Sequence, residues 1–76
     1  MAFDLQAAVG AARELPQQQR QVLRLLATGL SRKEIAAAMG LATSTVDNHC
    51  TLMFRTLGIQ NSREAVRVWI SARIKT

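Results

Sequence analysis

Apolar residues recur along this chain at helical spacing and never in sustained alternation. Leu5, Ala8, Val9 and Ala12 make one apolar face, and Asp4 before them suits a helix N-cap, predicting a first helix over about 4–13. Gly10 weakens it. The next series is Val22, Leu23, Leu26 and Ala27, with Leu25 alongside. It opens at Leu15-Pro16, where proline's missing N–H costs nothing, and closes at Gly29, which can take a left-handed conformation. Ser31 and Glu34 form an S-x-x-E capping box that starts a third helix. Ile35, Ala36 and Met39 face inward there, and Gly40 stops the helix after about two turns. A fourth helix follows with Thr43 or Ser44 as its cap. Its stripe is Val46, Cys50, Met53 and Leu57, at steps of four, three and four, and Gly58 ends it. The opposite face carries Ser44, Asp47, Asn48, Thr51 and Arg55. Asn61 and Glu64 form a second capping box for a fifth helix. Val66, Trp69, Ile70 and Ile74 are its expected inner face, with Val68 and Ala72 off that stripe.

The fold class is therefore all-α. Between Met39 and Ser44 stand only Gly40, Leu41, Ala42 and Thr43, and so short a turn makes two helices cross steeply. A helix-turn-helix presents the start of its second helix to the major groove of DNA. Ser44, Thr45, Asn48 and Thr51 carry short polar groups that fit phosphate or base edges there. The same pattern also describes a plain helical hairpin with a solvated polar face. Charge bears on the choice: ten Lys and Arg against five Asp and Glu give a net charge of +5, which favours nucleic acid or an anionic surface.

The 76 residues hold one domain with one small core, and 49% hydrophobic against 20% charged residues is a globular balance. Cys50 is the single cysteine, so packing and not a disulfide must hold the fold, as suits a reducing compartment. No apolar run reaches the ~20 residues of a membrane span, and the N-terminus lacks the basic start and apolar segment of a secretory signal. The expected setting is cytoplasmic, with no membrane partner. His49 and Cys50 alone do not make a zinc site, which takes four ligands, and no cofactor motif is present. The scattered carboxylates and the absence of a nucleophile with a placed base give an enzyme reading little support and leave it a distant third.

Three stretches carry a family resemblance: V-L-R-L-L-A-T-G-L-S-R-K-E-I-A from Val22 to Ala36, T-V-D-N-H from Thr45 to His49, and L-G-I-Q-N-S-R-E-A-V from Leu57 to Val66. From Leu15 to Trp69 the chain resembles the DNA-binding domain of LuxR-type regulators. The resemblance implies a four-helix LuxR-type helix-turn-helix domain over 15–76, preceded by an extra N-terminal helix over 1–14. It implies double-stranded DNA as partner and transcriptional control as function. It assigns phosphate contact to Lys33, with Arg32 beside it, and to polar residues beside the turn, among them Thr43. It places Thr45, Val46 and His49 on the reading helix, with Arg55 near its end. It also implies a homodimer through the last helix, where Val68, Trp69 and Ala72 are the candidate contacts.

The chain departs from the family at four places. Asp47 stands where a base is usual, Cys50 where an arginine is frequent, Thr56 where lysine is usual, and Gln18-Gln19 where an arginine-glutamate pair is usual. Asp47 repels phosphates but can accept a hydrogen bond from cytosine N4. The opening L-P-Q-Q-Q-R-Q-V-L is similar to the fourth region of sigma factors. The lost positive charge and the extra N-terminal helix keep a second function class open, a protein-interaction module that binds another regulator or cellular protein.

Overall fold

The computed structural model describes residues 3–73. Among them the chain forms α1 (Leu5–Arg13), α2 (Gln17–Ala27), α3 (Arg32–Met39), α4 (Thr43–Leu57) and α5 (Ser62–Ala72), and no strand.

Each start has a local cause. The Asp4 carboxylate accepts from the Ala7 N–H at 3.1 Å and caps α1. Pro16 is the N-cap of α2, with Gln17 the first helical residue. The Ser31–Glu34 box is complete: the Glu34 N–H donates to Ser31 Oγ at 3.1 Å, and the Ser31 N–H to Glu34 Oε1 at 2.8 Å. At α5 the box is shifted. Asn61 Oδ1 accepts from the Glu64 N–H at 2.9 Å, but Glu64 Oε1 takes the N–H of Gln60 at 2.8 Å, not that of Asn61. At α4 the expected cap is displaced. Ala42 is the N-cap and makes no side-chain cap bond, while Thr43 is already helical.

Three helices end alike, on a glycine followed by an aliphatic residue. Leu30, Leu41 and Ile59 donate their N–H groups back to Leu25, Ala36 and Phe54 carbonyls at 3.2, 2.9 and 2.9 Å. This six-to-one bond is the Schellman closure, and it satisfies carbonyls the helix would leave unpaired. It requires positive φ at the preceding residue, +67° at Gly40, which glycine adopts without steric cost. The aliphatic residue then packs back on the core: Ile59 is buried, and Leu30 and Leu41 are partly so.

The core is continuous across all five helices. Leu23, Ile35, Met53, Val22, Val46, Val68 and Cys50 are its largest fully buried side chains. The predicted stripe of α4 holds at every position: Val46, Cys50, Met53 and Leu57 are all buried. On α5 the expected face is corrected. Its buried residues are Ala65, Val68 and Ala72; Val66 and Trp69 are half-buried, and Ile70 is 66% exposed. Ile74 lies outside the described residues. The cause is that α5 packs broadly on both α1 and α2. Ala65 and Ala72 on α5, and Ala8 and Ala12 on α1, are all buried, and small side chains let helix axes approach closely.

Candidate nucleic-acid interface

The candidate interface lies on α3 and α4, which pack on one another and are joined by Gly40 to Ala42. Burial of Val46, Cys50, Met53 and Leu57 turns the other side of α4 outward. Ser44, Thr45, Asn48, Thr51 and Arg55 are exposed there, and Asp47 and His49 are half-exposed. Thr43 is exposed in the first turn of α4. At 15 residues the helix is about 22 Å long, and a major groove about 12 Å wide admits it. Lacking a capping side chain, the first turn keeps amide N–H groups available to an anion.

Two of the sequence-derived site residues behave differently from the rest. Val46 is 0% exposed; it seats the start of α4 in the core and has no surface to offer a groove. Thr51 donates its hydroxyl to the Asp47 carbonyl at 3.0 Å, so toward a base it is an acceptor.

Asp47 has a partner that the linear sequence did not reveal. Arg32, the first residue of α3, places Nη1 3.3 Å from Asp47 Oδ1. The same guanidinium lies 5.9 Å from the centre of the Phe54 ring, two turns further along α4. Arg32 thus lies along α4 and neutralises the one acid on its outer side. Lys33 beside it is exposed.

Cys50 occupies a different place from the one its family position suggests for charge. It is fully buried, and burial pushes its thiol up, opposed by nearby Arg32. An uncharged residue at this position therefore belongs to the core. Thr56 is exposed. Glu34 is held below the ordinary carboxylate range by the Ser31 N–H that it accepts, so it serves the cap. No group of three or more His, Cys, Asp or Glu that could hold a metal occurs among the described residues. No described helix is long and apolar enough to cross a membrane.

The family model for bacterial regulatory proteins, luxR family, matches residues 13–69. The chain belongs to the luxR family. It is a helix-turn-helix domain of the DNA-binding, transcription-regulating kind, and the family is one of regulators and not of enzymes. It is 38% identical over 56 residues to "Probable HTH-type transcriptional regulator GfsR" of Streptomyces halstedii, covering 74% of this chain and 23% of that protein. It is 42% identical over 53 residues to "Transcriptional regulatory protein UhpA" of Escherichia coli (strain K12), covering 70% of this chain and 27% of that one. "Putative HTH-type transcriptional regulator YhjB" of the same organism is 38% identical over 53 residues, 70% and 26% of the two chains. The luxR-type chain thus spans about a quarter of the length of the curated relatives it matches. No solved structure matches it.

The dimer candidates of the luxR-type reading sit unevenly. Val68 is 0% and Ala72 2% exposed, so both are consumed by the domain's own core, and Trp69 is half-buried against it. The large apolar side chain that α5 turns outward is Ile70, at 66% exposure.

Proposed function

We propose that this domain is a sequence-specific transcription factor module that lays α4 in the major groove of duplex DNA. The observation that carries the proposal is the separation of the two sides of α4. One side is fully committed to the core, and the other presents Ser44, Thr45, Asn48, Thr51 and Arg55 without a structural task beyond the helix itself. In this reading Asn48 and Thr51 touch base edges. Lys33, Arg55, His49 and the first-turn groups at Thr43 and Ser44 hold phosphates and set the register. Arg32 adds a phosphate contact when it leaves Asp47, and Asp47 then accepts from cytosine N4.

Two copies pair on the DNA through the outer side of α5, around Ile70 and the exposed part of Trp69, with the recognition helices about one turn, roughly 34 Å, apart. The domain acts in the cytoplasm.

The test is selection from a randomised duplex pool by the 76-residue chain at two salt concentrations. The expected result is an enriched palindrome with half-sites one turn apart. Absence of any enriched sequence overturns the reading.

A further inference from the structure

Three arginines meet at the opposite ends of helices that take no part in the reading face. Arg13 closes α1, Arg20 lies one turn into α2, and Arg73 follows α5 as its C-cap. With Ala72 they line an open hollow of about 350 Å³, and no residue of α3 or α4 enters its wall. Arg13 Nη2 donates to the Ala72 carbonyl at 3.3 Å, which fixes one guanidinium across the end of α5. The Arg20 Nε is buried and has no hydrogen-bond partner among the described residues. A buried N–H of a charged group left unpaired is costly, and since this atom has no surface of its own, a ligand in the hollow meets it only when the Arg20 side chain turns outward. Arg20 stands near the N-terminus of α2, whereas Arg13 and Arg73 sit at the C-terminal ends of α1 and α5, so the helix dipoles oppose one another and the positive potential is that of the guanidiniums themselves. Glu14, the nearest acid in sequence, lines a separate hollow with Leu15 and Leu52. Arg73 takes φ +50°, the one left-handed non-glycine residue described.

We infer that Arg13, Arg20 and Arg73 form a binding site for a phosphate group, distinct from the DNA-reading surface. Charge and donor number select among anions. A carboxylate carries one charge and is satisfied by a single arginine fork. Three guanidiniums around one hollow offer more charge and more donors than that, and a phosphate, with up to two charges and three free oxygens, suits them better. The group is either a free phosphate or phosphorylated small molecule, or a backbone phosphate of nucleic acid passing this end of the domain. The site stands on its own residues and does not depend on what α4 reads.

The experiment follows the Arg Nε–H resonances of the 76-residue chain by NMR while potassium phosphate replaces chloride at constant ionic strength. The Arg20 signal is expected to move saturably. Arg73→Gln, at an exposed position, is expected to weaken that titration about tenfold, as for loss of one charge-assisted bond, and Arg13→Gln to weaken it likewise, both leaving the Arg20 reporter in place. Circular dichroism checks that both variants stay helical. A second arm adds duplex DNA of unrelated sequence. If phosphate leaves the Arg20 signal unmoved but DNA shifts it, and Arg73→Gln flattens the salt slope by about 0.9, the ligand is a backbone phosphate. If neither titration moves the signal, or Arg73→Gln changes neither, the site does not exist.

Discussion

Replacing Asp47 with asparagine separates its ion pair with Arg32 from the part in DNA binding proposed for it. The Arg32–Asp47 pair spans 3.3 Å with side chains 46% and 50% exposed, and pairs so placed contribute about 0.2–1 kcal/mol. Asp47→Asn is therefore expected to lower the melting temperature by less than about 8 °C, since 1 kcal/mol shifts a domain of this size by roughly 4–8 °C. On DNA the change has the opposite sign. On a duplex of arbitrary sequence Asp47 finds no matching cytosine, and the native Arg32 stays on it; in the variant Arg32 is free to take a phosphate, and a negative charge facing the backbone is gone. One added phosphate contact steepens the dependence of log K on log salt by about 0.9 and is worth roughly fivefold to tenfold in affinity near physiological salt. The assay is fluorescence anisotropy of a labelled duplex of arbitrary sequence across a salt series, for both proteins. Parallel salt slopes with equal affinities would refute the argument, because they would mean that Asp47 does not restrain Arg32.

Four further outcomes are expected. Asn48→Ala changes the preferred base at one position of the selected site, by about 1–3 kcal/mol, whereas Lys33→Ala weakens binding to every sequence and flattens the salt slope by about 0.9; binding assays on site variants distinguish them. Val68→Asp buries a charge in the core and abolishes the helical dichroism, while Ile70→Asp leaves the fold intact and removes pairing on DNA, read by sedimentation. Gly40→Ala meets no atom within 4 Å, so its cost is backbone strain at φ +67°, about 1–2 kcal/mol, visible as a lower melting temperature. Glu34 has a folded pKa below its ordinary 4.5, so its contribution to stability is present above that value and fades as the pH falls through the folded value. Thermal melts of Glu34→Gln taken as the pH falls from 4.5 through the folded value should show a shallower loss than the native chain.

Periodicity predicted most of this architecture because most helices here bury one stripe of large side chains. On α4 the four buried residues are the four that the spacing selects, and α3 starts on the capping box read from Ser31 and Glu34. On α5 the same logic chose bulk over position. Trp69 and Ile70 outweigh Ala65 and Ala72 in hydrophobicity, but a helix wedged against two neighbours buries its small residues where the approach is closest. The α4 cap was misplaced by one or two residues because Thr43 and Ser44 are good capping types, yet Ala42 already has the extended backbone of an N-cap. For the candidate interface, the exposed side of α4 was legible from its polar spacing. The Arg32–Asp47 bond was not, since it joins two helices across fifteen positions and no local pattern encodes it. The meeting of Arg13, Arg20 and Arg73 likewise depends on how three helix ends are brought together, with Arg13 and Ala72 fifty-nine positions apart.

The glycine-aliphatic stops have a consequence for how such a domain can change over time. Because α3 and α4 are halted by main-chain bonds and pinned by Leu41 and Ile59, the angle between them owes almost nothing to the outward side chains of α4. Substitutions at Ser44, Asn48, Thr51 or Arg55 therefore cost little folding energy, and new target preferences can be sampled without passing through unfolded ancestors. Asp47 is the exception, being tied to Arg32, so a lineage that alters one of that pair will find the other under pressure to follow.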